Sequence, residues 1–242
     1  MQRVANEDSK PVIFCDFDGT ITEIDVTDQL LSLLAHPSWR EVEQEWMRGT
    51  IGSRECLERQ MALVEATEEE FNALVDTIRV DPAFVPFHEY FRRRRIPIFI
   101  LSDGFDSVIR RVLRRAGLGG RLAFRGRVFA SALKWKHGRL KTRFPHASAG
   151  CRHGCATCKV AVMKKLGRSG FKILIGDGLS DRFAAEAADL VYAKGQLLAY
   201  SRDRGLKVRA FETFADVQAD LEARLAVRRA HRKLAGRVLV TS

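Results

Sequence analysis

The stretch Val12–Thr20, VIFCDFDGT, constrains the fold of this chain more than any other. Val12-Ile13-Phe14-Cys15 is a short apolar run of the kind that fills a strand buried on both faces of a parallel sheet. It ends in two carboxylates, Asp16 and Asp18, after which Gly19-Thr20 turns the chain. In open α/β sheets the carboxyl ends of the strands are where ligands bind. Residues two apart along an extended segment point the same way, so Asp16 and Asp18 can share one small site. Two carboxylates held that close repel unless a cation lies between them, and a hard, oxygen-seeking ion such as Mg²⁺ is the economical choice. The bland alternative is a strand followed by an acidic turn.

Two further apolar strands and one lysine supply partners. Ile98–Asp103 ends in Ser102, with Gly104 able to open a helix, and Phe171–Asp181 (FKILIGDGLSD) ends in Gly176-Asp177-Gly178 and then Asp181. Lys159 lies between them at the start of an expected helix. Taken singly, Ser102 could cap a helix, Lys159 could be a surface lysine and Asp181 could be an N-cap. Taken in order over residues 12 to 181, the set resembles the haloacid dehalogenase superfamily and its phosphoserine-phosphatase-like subgroup. That resemblance implies an α/β fold, a doubly wound parallel sheet with an inserted helical cap and a small β-hairpin. It implies Asp16 as nucleophile, Asp18 as acid/base, Ser102 as phosphate-binding hydroxyl and Lys159 as charge-stabilising lysine. Gly19 and Thr20 would line the phosphate site. Mg²⁺ would be held by Asp16, Asp177 and the Asp18 carbonyl, with Asp181 behind them. In the superfamily an aspartate two residues after the nucleophile marks phosphatases and phosphomutases rather than dehalogenases, and Asp18 matches it.

The rest of the chain fits around this core. A length of 242 residues allows one or two domains. Residues 27 to 81 have the periodicity of several amphipathic helices, with Thr67 and Glu70 spaced as a capping box and Asp81-Pro82 as a breaker. One crossover helix needs far fewer residues, so 22–82 is expected to be the cap and 1–21 with 83–242 the core. Phe84, Phe87 and Phe91 recur at helical spacing and are read as core. Leu122–Phe144 is expected to hold a strand and a hairpin, and helices are expected over Gly104–Ala116, Asp181–Ala188 and Phe214 to about Leu234. Met1–Lys10 is polar and no apolar run approaches a membrane span, so a cytoplasmic protein without membrane contact is expected. The net charge of +11 is spread over many segments, with no aromatic-interleaved stripe. It is read as solvated faces and attraction for anionic substrates, not nucleic-acid binding. The oligomeric state is not set by the sequence.

A second constellation, His146, Cys151, Cys155 and Cys158, directly precedes Lys159. This segment looks like that of the methionine-salvage phosphatases that hydrolyse 2-hydroxy-3-keto-5-methylthiopentenyl-1-phosphate; related phosphocholine/phosphoethanolamine phosphatases have a similar approach to their lysine. A small phosphorylated metabolite is the implied partner. Short spacings of three thiols and a histidine also admit a structural Zn²⁺, against the alternative of a compact loop of reduced thiols. Two departures affect substrate choice. Asp25 stands where phosphoserine phosphatases carry a substrate-binding glutamate, and Asp103 stands where many relatives have glycine, so both are candidates for substrate or phosphate contact.

Overall fold

The apolar run at Val12 forms the middle of a sheet. The computed structural model describes residues 9–119, 124, 126–168 and 170–238, with 228–238 given by backbone alone. Strand β1, Pro11–Cys15, pairs in parallel with β2, Ile98–Phe105, on one side and β5, Phe171–Gly176, on the other. With β3 (Val128–Lys136), β4 (Arg139–Arg143), β6 (Leu190–Ala193) and β7 (Val208–Ala210), the order across the sheet is β4-β3-β2-β1-β5-β6-β7. Only β3–β4 is antiparallel, closed by His137-Gly138 with both residues at positive φ. The three motif strands β2, β1 and β5 are thus neighbours, and their carboxyl ends open on one place.

After β1 the chain makes four helices before it turns back to the sheet, α1 Val26–Leu34, α2 Trp39–Met47, α3 Ser53–Met61 and α4 Glu68–Val75. Their boundaries follow local chemistry. Thr67 accepts from the Glu70 N–H while the Glu70 carboxylate accepts from the Thr67 N–H, the capping box that the spacing predicts. At α1 the expected start at Thr27 is replaced by Asp25, whose Oδ1 accepts from the Asp28 N–H at 2.9 Å. The chain enters and leaves this helical excursion side by side: Thr22 and Val80 form an antiparallel bridge, and the Asp81 N–H donates to Ile21 O at 2.9 Å.

Helix α5, Phe84–Arg93, returns the chain to the sheet. Phe84, Phe87 and Phe91 are all fully buried, as their spacing predicts. The Phe214 ring centroid lies 4.8 Å from that of Phe84 and 4.9 Å from that of Phe87. Phe214 opens α10, Phe214–Val238, and Asp81 ties the two helix starts together, accepting from the Ala83 N–H at 2.8 Å and the Phe214 N–H at 2.7 Å. After β2 comes α6, Asp106–Leu113, later than the expected Gly104 because β2 continues through Phe105. Helix α7 is Lys159–Leu166. The helix expected over Asp181–Ala188 is instead a 3₁₀ turn, Leu179–Asp181, and a short α8, Arg182–Glu186. Helix α9, Gly195–Asp203, has no expectation behind it: it starts on a glycine at φ 53° and buries only Leu197 and Ser201, too little periodicity to read.

The polar start Met1–Asp8, Leu122, Ala123 and Arg125 of the expected strand and hairpin, and the side chains from 228 onward in the expected terminal helix lie outside the described residues. Among the described residues no helix is long and apolar enough to cross a membrane. Phe87 sits at the α5–α10 contact with no solvent exposure, so Phe87→Ala is expected to lower unfolding free energy by about 3–5 kcal/mol. Urea unfolding followed by far-ultraviolet circular dichroism checks this.

Candidate active site

At the carboxyl end of β1, Asp16 is buried and its N–H donates to Ile175 O on β5 at 2.9 Å, which fixes the direction in which the strand releases it. Its Oδ1 accepts from Lys159 Nζ at 2.8 Å. The same ammonium donates to Asp181 Oδ1 at 2.7 Å and to Ser180 Oγ at 3.3 Å. Lys159 and Asp181 are both buried, so this is an ion-paired triad cut off from water and not a surface lysine. Burial alone would pull the Lys159 pKa down, but the charges of Asp16, Asp181 and Asp103 outweigh it and hold the ammonium charged.

Gly19 turns the chain at φ 67°, and a Cβ there would come within 2.5 Å of Asp177 Oδ2. Only glycine lets the turn and the third carboxylate approach this closely. Thr20, expected at the phosphate site, is fully buried and donates from Oγ1 to Asp177 Oδ1 at 2.5 Å. Burial and the Asp16 charge push the Asp177 carboxyl up to about 6, and push Asp181 well above the usual carboxylate range.

Oxygens of Asp16, Asp177 and Asp181 lie within 4.8 Å of one another. Asp181 Oδ2 is buried with no hydrogen-bond partner among the described protein groups. An all-oxygen donor set crowded by its own charge, with one spare buried oxygen, fits a hard divalent cation such as Mg²⁺. Asp181 thus lies beside the other two carboxylates, with its Oδ1 engaged by Lys159.

Asp18 faces the other side. Its Oδ2 accepts from Ser102 Oγ at 2.9 Å, and Ser102 Oγ in turn accepts from the Gly104 N–H at 2.9 Å. Ser102 therefore serves the turn after β2 as well as the carboxylate. Burial, with the Asp25 and Asp16 charges behind it, raises the Asp18 pKa well above the ordinary range. Asp103 lines the cavity, but its Oδ1 accepts from the Thr157 N–H at 2.8 Å and the Ser53 hydroxyl also bonds to it.

Above these groups lies a cavity of about 580 Å³. Asp16, Asp18, Asp103 and Asp177 form its floor, and Asp25, Trp39, Glu43, Trp46, Met47 and Gln60 from the helical excursion line its walls. Gln60 Nε2 donates to Glu43 Oε2 at 2.8 Å. Asp25 is reached by solvent through the cavity, yet the surrounding protein and the neighbouring Asp28 and Asp16 carboxylates push it up to about 6. Asp25 thus has two jobs, capping α1 and facing the cavity. Apart from Asp25, the wall residues carry no sequence signal, because a side chain facing a cavity and one facing a core have the same helical period.

The zinc reading of His146, Cys151, Cys155 and Cys158 finds no support. Among the described residues the gathering of metal-ligating atoms is that of Asp16, Asp177 and Asp181. The His146 ring packs edge-on against Phe129 at 5.0 Å, and all three cysteines are free thiols. Short spacing brings the four residues near one another along the chain but does not converge their ligand atoms.

Known proteins resemble this chain in sequence and in fold. The family pattern described as haloacid dehalogenase-like hydrolase matches residues 13–186. The chain is 30% identical to a 2-hydroxy-3-keto-5-methylthiopentenyl-1-phosphate phosphatase of Geobacillus thermodenitrificans (strain NG80-2), over 87% of this chain and 95% of that one. It is 31% identical to the protein of the same name from Geobacillus kaustophilus (strain HTA426), over 85% and 93%. Among solved structures, a phospho-aspartyl intermediate analogue of phosphoserine phosphatase superposes with a TM-score of 0.64 at 17% identity, covering 85% of this chain and 95% of that one. With the family pattern spanning β1 through α8 and the motif strands side by side, this chain belongs to the haloacid dehalogenase-like hydrolases.

Proposed function

We propose that the chain is a Mg²⁺-dependent phosphatase that hydrolyses a small phosphomonoester through an aspartyl-phosphate on Asp16. We further propose that its substrate is 2-hydroxy-3-keto-5-methylthiopentenyl-1-phosphate, the compound named in its relatives. The observation that carries the reading is the convergence of Asp16, Asp18, Ser102, Lys159, Asp177 and Asp181 beneath one cavity. Residues 22–82 are the cap in this reading and 1–21 with 83–242 the core. A metabolite of this size fits the cavity, whereas a folded nucleic acid does not, and the setting is cytoplasmic, where such metabolites are made.

The chemistry divides among the residues as follows. Asp16 attacks phosphorus in line with the departing oxygen, and Asp18 gives that oxygen its proton. A water then attacks the aspartyl-phosphate while Asp18 takes its proton, so one carboxyl serves both halves. Ser102 and the N–H groups beside it hold phosphoryl oxygens, together with the Gly19-Thr20 turn. Lys159 offsets the negative charge that Asp16 and the phosphoryl group bring together. Mg²⁺ held by Asp16, Asp177 and the Asp18 carbonyl, with Asp181 beside them, would supply charge neutralisation at the phosphoryl oxygens. Asp103, at the edge of the same pocket and bonded to the Thr157 N–H, is a candidate for substrate or phosphate contact.

Three outcomes are expected. Chelation with EDTA abolishes release of phosphate from p-nitrophenyl phosphate, and added Mg²⁺ restores it. Asp16→Asn is inactive on every substrate. Asp18→Asn loses about 10²–10⁴-fold on an alkyl phosphate and much less in the first step with an aryl phosphate, whose leaving group needs no proton. In that variant the aspartyl-phosphate persists and is seen by rapid-quench mass spectrometry; native rates on alkyl phosphates would remove Asp18 from its role. The double duty of Asp25 separates by substitution. Asp25→Ser keeps a capping oxygen and near-native stability, whereas Asp25→Ala loses about 1 kcal/mol. Both are expected to raise KM for the methylthiopentenyl substrate more than for p-nitrophenyl phosphate.

A further inference from the structure

The three thiols Cys151, Cys155 and Cys158 lie in the loop that fastens the helical excursion to the sheet. Gly154 O accepts from the Arg54 N–H at 3.0 Å, and the Ala156 N–H donates to Ser53 Oγ at 3.0 Å. Gly52 packs on this loop so closely that a Cβ on it would overlap Gly154 O. One residue further on, the Thr157 N–H donates to Asp103 Oδ1, and two residues after that comes Lys159. The loop therefore clasps the start of α3 and sets the approach to the buried lysine at once.

The thiols are unevenly placed within it. The N–H groups of Cys155 and His153 bond to Cys151 Sγ, and the thiols of Cys155 and Cys158 lie beside it. Burial works against a thiolate there, but these hydrogen bonds outweigh it and lower the Cys151 pKa, while burial pushes Cys155 up to about 12. A second cavity, of about 630 Å³, opens on Cys151, Cys155, Cys158 and Lys159, and Cys151 is partly exposed. Cys158 is pinned, its N–H donating to His146 O at 3.0 Å at the start of α7. Cys155 lies in irregular chain, outside any helix or strand.

We propose that Cys151 and Cys155 form a peroxide-sensitive thiol pair whose disulfide loosens the clasp on α3. The Cys151 sulfur attacks one peroxide oxygen, the O–O bond breaks and hydroxide leaves, becoming water with the thiol proton. The resulting sulfenic acid is attacked by the Cys155 sulfur. An S–S bond forms, the S–O bond breaks, and the hydroxyl departs with the Cys155 proton as a second water. The two sulfurs lose two electrons in all, and the peroxide gains them. Drawing Cys155 toward Cys151 displaces Gly154 and Ala156, the two residues that hold Arg54 and Ser53.

The activity readout rests on the phosphatase reading, so the test carries a second readout that does not. Reduced, Mg²⁺-loaded protein is treated with stoichiometric hydrogen peroxide. The intact mass is expected to fall by about 2 Da, with peptide mapping joining Cys151 to Cys155. Hydrogen exchange at the Arg54 amide should accelerate, and turnover of p-nitrophenyl phosphate should fall about fivefold or more and return with dithiothreitol. Cys151→Ser should keep its basal rate and respond to peroxide in neither readout. A disulfide to Cys158, no loss of mass, or a disulfide that leaves Arg54 exchange unchanged would overturn the proposal. A reduced protein without turnover would sink the phosphatase reading alone, since mass and exchange still report on the thiol pair.

Discussion

The buried ammonium of Lys159 is the interaction on which the rest of the site depends. It lies 2.8 Å from one Asp16 oxygen and 2.7 Å from one Asp181 oxygen, with both partners removed from water. Carboxylates at the ends of two adjacent parallel strands would otherwise meet with nothing between them. Burying an ion pair gains little net stability, because desolvation takes back most of the attraction, yet breaking such a pair leaves an uncompensated charge and is costly. The arrangement is better understood as positioning than as stabilisation. It holds three acidic groups in a fixed geometry and leaves the site short of positive charge on the side where a cation fits.

The fold serves this concentration of charge. Placing β1 between β2 and β5 puts the ends of three strands within reach of one another, while α7 brings the lysine in from the side. The helices α1 to α4 contribute no group to the carboxylate gathering, and they supply the walls of the cavity above it. In the proposed reading, chemistry and recognition are carried by different parts of the chain: the strand ends hold the reacting groups, and the helical excursion shapes what can reach them.

Much of this was legible because the signals are local. The β1 motif combines a buried apolar run, two carboxylates and a turn within nine residues, and the capping box of Thr67 and Glu70 is complete within four. The three phenylalanines of α5 could be assigned to the core from their period alone. What could not be read depends on contacts between distant residues. Ser53 is the first residue of α3, capped by Gly52, and its hydroxyl reaches residue 156 across the fold. Thr20 also holds Asp177, 157 residues away, a bond that its place in the motif does not announce. The cysteines show the same limit from the other direction: spacing brought them together without directing their sulfurs at one point. Helix α9 was missed because two buried side chains in nine residues do not make a pattern.

The bridge between Thr22 and Val80 has an evolutionary consequence. Since the chain departs and rejoins at neighbouring residues, the sheet experiences the whole excursion as a short hairpin-like junction, whatever its length. The entropy of closing a loop grows only slowly with the number of residues in it, and the register of β1 against β2 is indifferent to insertions beyond the junction. Lineages carrying this architecture can therefore lengthen, trim or exchange the helices and so acquire new substrates by insertion and deletion. The carboxylate floor, whose members are locked to one another across strands, has no such freedom and can drift only one residue at a time.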